Sequence, residues 1–124
     1  MARKKLSTKQ IIFTAMIGSL LKQIEALCLG YEVTFGEVYR PEVTQRHYVN
    51  TGKSKTMSSK HRQRLAIDLN LFINGVYCTN SEKYRPLGVI WEGLGGRWGG
   101  RFGIHKSDYD TAVGWDAGHF EYKD

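Results

Sequence analysis

Cysteine is scarce in this chain. Cys28 and Cys78 lie far apart, and neither belongs to a Cys-x-x-Cys pair. This excludes a disulfide framework and a cysteine-built structural zinc site; both residues read as free buried thiols in a reducing compartment. Long hydrophobic runs are missing as well. The most apolar stretch, "IIFTAMIGSLL" at 11–21, is interrupted by Thr14, Gly18 and Ser19 and runs into Lys22, Gln23 and Glu25, too short to span a bilayer. It follows the basic "MARKK", but no small-x-small cleavage site comes after it, so no secretory signal is expected. Phosphate loops are also absent: the glycine-dense "GGRWGGRFG" has neither the GxxxxGK[ST] nor the GxGxxG register. Its glycines are assigned to turns and close backbone approach.

What is present is an ordinary globular composition. Of the 124 residues, 41% are hydrophobic and 24% charged, which fits one folded domain over 1–124 rather than a disordered or repeat chain. The formal net charge of +6 attracts polyanions, whether nucleic acid, anionic lipid or an anionic bacterial wall, and does not choose among them. Basic residues are dispersed except in "ARKK" and "TGKSKTMSSKHRQR", a poor match to a nucleic-acid stripe.

The apolar periods set the elements. A first helix is expected from a cap at Ser7 or Thr8, with Ile12, Met16, Leu20, Ile24 and Leu27 on one face and Gly30 at its end. "YEVTFGEVYR" alternates Tyr31, Val33 and Phe35 against Glu32, Thr34 and Gly36, the period of a strand with one buried face. Pro41 opens a short polar helix in "PEVTQRHYVN", and "TGKSKTMSSK" reads as a mobile basic loop suited to the rim of a site. "LAIDLNLFI" sets Leu65, Ile67, Leu69, Leu71 and Ile73 on one face and Ala66, Asp68, Asn70 and Phe72 on the other. Asn74-Gly75 then turns the chain back into "VYCT". Pro86 opens a helix with Leu87, Ile90, Trp91 and Leu94 at helical spacing and Gly95 as its stop. The chain closes with a turn at Asp116-Ala117-Gly118 and a short strand carrying His119 and Glu121 on one face, Phe120 and Tyr122 on the other.

Four histidines are available, at 47, 61, 105 and 119. Two imidazoles and one carboxylate with an open fourth position is the donor pattern of catalytic zinc. His61, Asp68 and His119 make such a set only where the terminal strand packs beside the hairpin; the small Ala66 leaves space above the sheet there. From periodicity alone a plainer alternative stands: Asp68 pairs with Arg64 or Arg62, and His119 is a satisfied core histidine.

The residues themselves carry a resemblance. "SKHRQRLAIDL" resembles the SxHxxGxAxD motif of the M15 zinc peptidases, a family of D-alanyl-D-alanine carboxypeptidases, VanX-type dipeptidases and phage L-alanyl-D-glutamate endopeptidases. Ser59, His61, Ala66 and Asp68 match it in register. "DAGHFE" is similar to the second motif, in which an acidic residue stands three positions before the last metal-binding histidine, as Asp116 does before His119. "RWGGRFG" is similar to the family's WGG stretch and "VYRPEVTQ" to its arginine-containing segment. Arg64 departs from the pattern, standing where the motif has glycine. Asp rather than Glu at 116 is the form of the phage endopeptidase branch.

The resemblance implies an α+β fold, a small antiparallel sheet with helices packed on it, of the Hedgehog/D-Ala-D-Ala peptidase type. It implies Zn2+ on His61, Asp68 and His119 with water in the fourth position, Asp116 as general base, and Arg40 facing the substrate carbonyl or carboxylate. Ser59 and Glu121 would brace the ligands, and Trp98 would belong to the core. The implied substrate is the stem peptide of bacterial peptidoglycan, and the implied protein a monomeric phage endolysin cutting the L-alanyl-D-glutamate bond. It would be made without a signal peptide in the cytoplasm of the infected host cell and would reach the wall after membrane permeabilisation. Neither nucleic acid nor membrane insertion is expected. Competing with this are a D-Ala-D-Ala carboxypeptidase or dipeptidase of the same family and, from another class, a basic nucleic-acid-binding protein with an incidental metal.

Overall fold

In the computed structural model the described residues are 4–54 and 59–124. Helix α1 (Leu6–Ala26) leads into strand β1 (Tyr31–Phe35) and helix α2 (Glu42–Asn50). Strands β2 (Ala66–Ile73) and β3 (Val76–Tyr77), helix α3 (Arg85–Gly93), and strands β4 (Arg97–Trp98) and β5 (His119–Glu121) follow. All strand pairs are antiparallel, in the order β1-β2-β5-β4 with β3 also on β2. The expected α+β architecture is the one observed.

The centre of the sheet is β2, whose strict alternation sends Ile67, Leu69 and Leu71 to the helix side, none more than 2% exposed. Phe120 and Trp98 face each other across β5 and β4 and join the same layer. Helix α1 meets it with Phe13, Ile17, Leu20 and Ile24, one face of a 3.6-residue period. Phe13 and Phe120 each pack edge-on against Trp91, with ring centroids 5.7 and 6.1 Å apart. The buried indoles keep their N–H groups satisfied: Trp98 Nε1 donates to the Ala117 carbonyl at 2.7 Å and Trp91 Nε1 to that of Glu121 at 3.0 Å. Each such large side chain contributes about 1.5–3 kcal/mol by leaving water.

Several local expectations shift. Helix α1 starts at Leu6, so Ser7 and Thr8 fall inside its first turn and neither caps it. Its buried stripe runs through Phe13 and Ile17, with Ile12 and Met16 flanking it, because the aromatic ring is what reaches Trp91. Phe35, at the end of edge strand β1, stays exposed. The hairpin is as expected: Asn74 and Gly75 both take positive φ, 51° and 82°, which suits a tight two-residue turn. Its return strand is short, ending at Tyr77. The cysteines are free but not buried; Cys28 is exposed and Cys78 half-buried. The expected mobile loop falls partly on 55–58, outside the described residues. Among the described residues no helix is long and apolar enough to cross a membrane.

Candidate active site

Asp68 sits near the start of β2 on the face away from the helices, and both of its backbone groups are clamped. Its carbonyl accepts from Gly36 N–H at 2.7 Å, and its own N–H donates to the Glu37 carbonyl at 2.9 Å. On its other side it pairs in register with His119 of β5. The terminal strand therefore does pack beside the hairpin, and antiparallel register alone brings together two residues 51 positions apart.

His61 arrives from a 3₁₀ turn over Lys60–Gln63. Ser59 caps this turn, its Oγ accepting from His61 N–H at 3.2 Å. The turn ends at Arg64 in the left-handed region, φ 56° and ψ 39°. This explains the glycine of the motif: any other residue there carries about 1–2 kcal/mol of strain. Arg64 tolerates it with its guanidinium stacked 4.1 Å above the Tyr39 ring. It does not pair with Asp68, and Arg62 lies 3.9 Å from Glu42 instead. The plainer alternative for Asp68 and His119 is thus replaced by a three-residue cluster.

Within that cluster, one donor atom each from His61, Asp68 and His119 lies within 4.8 Å of the other two. Asp68 Oδ1 is 3.3 Å from His61 Nε2 and 3.2 Å from His119 Nδ1. Atoms bound about 2.0–2.1 Å from a tetrahedral ion stand about 3.3 Å apart, so the spacing fits zinc. The remaining ring nitrogens are already engaged. His61 Nδ1 meets the Val38 carbonyl at 3.1 Å, and His119 Nε2 meets Glu121 Oε1 at 2.8 Å. Such outer contacts choose which nitrogen faces an ion and raise its basicity. The donor set is that of a catalytic rather than a structural zinc site.

Electrostatics follow from the packing. Burial alone would favour neutral groups, but hydrogen bonds from His119 and His61 hold the Asp68 carboxyl well below the usual carboxylate range. Burial also disfavours the His119 imidazolium, yet the bonds to Asp68 and Glu121 outweigh it and push this histidine up to about 9. A cation is therefore what these oxygens demand. Asp116 lies at the rim, its Oδ2 3.9 Å from His119 Nδ1. Burial raises its pKa, with the nearby Asp68 charge adding to the rise and His119 opposing it. The Trp98 indole fixes the Asp116–Gly118 turn through Ala117, and a Cβ on Gly99 would collide with the Asp116 carbonyl and the His119 Cβ. A glycine is what lets that segment approach the turn.

Arg40 is near enough for its charge to act on Asp116. It is also held firmly. Its Nε and Nη2 pair with Glu37, and its Nη1 donates to Gln45 Oε1 at 2.8 Å and to Ser59 Oγ at 3.3 Å. Its guanidinium carbon lies 4.7 Å from the Tyr48 ring centroid. Glu37, Tyr48 and the fully buried Gln45 had no signal in the sequence. Phe102, whose ring lies 5.6 Å from that of His119, had only the glycine-rich neighbourhood. His47 packs on Tyr48 and His105 caps a 3₁₀ turn, both apart from the cluster.

Solved structures that share this fold include three peptidases. The L-Ala D-Glu endopeptidase ChiX of Serratia marcescens is 22% identical with a TM-score of 0.68, covering 90% of this chain and 77% of its own. The vancomycin resistance D,D-pentapeptidase VanY, solved with Zn(II), is 20% identical with a TM-score of 0.57, covering 89% and 70%. The L,D-carboxypeptidase DacB of Streptococcus pneumonia is 17% identical with a TM-score of 0.54, covering 90% and 65%. No curated protein sequence matches the chain. A family profile described as D-alanyl-D-alanine carboxypeptidase matches residues 52–122, a segment that holds both motifs and all three clustered donors but not Arg40. More than half of the chain falls within that match, and on this ground it belongs to the M15 family of zinc peptidases.

Proposed function

We propose that this chain is a zinc-dependent peptidoglycan endopeptidase that cuts the L-alanyl-D-glutamate bond of stem peptides. The observation that carries the reading is the convergence of His61 Nε2, Asp68 Oδ1 and His119 Nδ1 with the Asp116 carboxylate beside them. Asp at 116 and the +6 charge favour a phage endolysin. Such a protein is made in the cytoplasm of the infected cell and reaches the anionic wall once the membrane is permeabilised.

His61, Asp68 and His119 would hold the zinc. Bound there, zinc would polarise the scissile carbonyl and lower the pKa of a water molecule toward about 7. Asp116 takes the proton of the attacking water on its carboxylate and gives it to the leaving amine as the C–N bond breaks. Its burial raises its proton affinity, which suits both transfers. Arg40, fixed by Glu37, Gln45 and Ser59, presents a preorganised positive charge to the oxygen on which negative charge develops. Glu121 orients His119, and Ser59 braces both His61 and Arg40.

The test is mass spectrometry of peptides released from purified peptidoglycan by the zinc-loaded protein, with and without a chelator. Peptides beginning with D-Glu, lost on chelation, are expected. Free D-Ala would instead support the carboxypeptidase reading, which the description of the matching family profile favours. Intact peptidoglycan together with salt-sensitive DNA retention would favour the nucleic-acid-binding reading.

A further inference from the structure

The sheet face that carries the donors does not end at them. In β5 the side chains of His119 and Glu121 share this face, and the β4–β5 register sets Arg97 directly opposite Glu121. Lys123 continues the alternation of β5 one step further. Arg97 and Lys123 also line a cavity of about 440 Å³, together with Arg101 and its partner Glu92, Phe102 and Tyr109. Phe102 is the wall shared with the donor cluster, its ring 5.6 Å from that of His119 and 4.7 Å from the Arg97 guanidinium carbon.

The charges in this cavity are unequally committed. Arg101 is neutralised by two hydrogen bonds to Glu92, both 2.9 Å. Arg97 has only a long 3.7 Å contact to Glu121, and its side chain is 60% exposed. Glu121 is itself engaged by His119 at 2.8 Å. Lys123 is exposed and has no ion-pair partner among the described residues. Two cations therefore face the cavity with little to balance them, one oriented by an aromatic ring and a strand partner.

We infer that this cavity is a subsite for a carboxylate of the peptide substrate, bound by Arg97 and Lys123. The inference rests on the peptidase reading given above and adds where a charged substrate group is held. Two residues along a strand and one strand across place Arg97 about 8 Å from His119. An extended peptide spans that with two to three residues. The ligand is a peptide with a free carboxylate within that distance of the scissile bond. A glutamate joined through its γ-carboxyl has one on the α-carbon, and a diacidic third residue has another. Arg97 can grip a carboxylate with two parallel N–H donors, while Lys123 adds a point charge.

The experiment uses synthetic peptides carrying a carboxylate or a carboxamide at the glutamate α position, and separately at the third residue. Binding is measured by calorimetry, and KM and kcat are measured on the zinc-loaded protein. The carboxylate forms are expected to bind about tenfold more tightly than the carboxamides, with the difference in KM rather than kcat. Arg97→Ala and Lys123→Glu are each expected to collapse that ratio toward one, and Arg97→Lys to keep part of it. The position whose amidation abolishes the preference identifies the carboxylate. Equal binding of all forms, or a preference that survives both variants, overturns the subsite even where hydrolysis is normal. Carboxylate-selective binding without hydrolysis would keep the subsite and remove the peptidase reading.

Discussion

The two faces of the β2–β5 ladder share the same backbone hydrogen bonds and follow opposite rules. On one, Ile67, Leu69 and Phe120 are each within 2% of complete burial and pack by shape alone. On the other, Asp68, His119 and Glu121 are linked by polar contacts of 3.2 and 2.8 Å. The apolar face supplies the free energy that keeps the register. The polar face uses that register to hold together carboxylates and histidines whose buried polar atoms would otherwise demand water. Stability and chemistry are thus separable by side, and substitutions can show whether they are.

The largest effect is expected from Asp68→Ala. It removes the oxygen both histidines share, so metal content should fall to background and hydrolysis by about a thousandfold or more, with the circular dichroism of the fold retained. Full zinc content in that variant would mean that the ion, if any, is held elsewhere. On the opposite face, Phe120→Ala should cost about 3–5 kcal/mol in urea unfolding, while the protein that remains folded still binds zinc. A variant that unfolds no more easily than the parent would show that the apolar face is not what secures β5. Glu121→Gln tests the link behind His119: zinc affinity should weaken by about 10–100-fold with little change in stability.

The smallest effect lies far from either face. Asp124 bridges Lys9 of α1, at 2.6 Å, and Lys60 beside His61, and these two ammonium groups draw its pKa down to about 2. A depressed carboxyl pKa adds stability that is present above the unfolded value near 3.9 and is lost as pH falls toward about 2. The carboxylate is half exposed, so screening limits Asp124→Asn to under about 1 kcal/mol, smaller still at high salt. Acid unfolding curves of the two proteins should therefore converge at the lowest pH.

What could be read from sequence divides along the same line. The period of two in "LAIDLNLFI" and the Asn74-Gly75 turn place Asp68 correctly, because a half-buried strand leaves a direct imprint on residue order. The pairing of Asp68 with His119 is a long-range register, which residue order does not encode; the motif resemblance supplied it. Arg64 looked like an anomaly until its left-handed φ showed what the motif glycine is for. The Glu37, Gln45 and Tyr48 surroundings of Arg40 were not legible, since a polar residue buried by tertiary contacts has no period of its own. The start of α1 was misplaced for a related reason. Ser7 and Thr8 have the chemistry of caps, but apolar packing through Phe13 and Ile17 carries the helix back to Leu6.

The most direct test of the whole account is to measure zinc content and peptidoglycan hydrolysis on the same preparation of Asp116→Asn. The account predicts full zinc content, because Asp116 stands 3.9 Å from His119 and outside the three-donor set, with hydrolysis reduced by about 10²–10⁴-fold. Loss of the zinc, or hydrolysis at the parent rate, would contradict it.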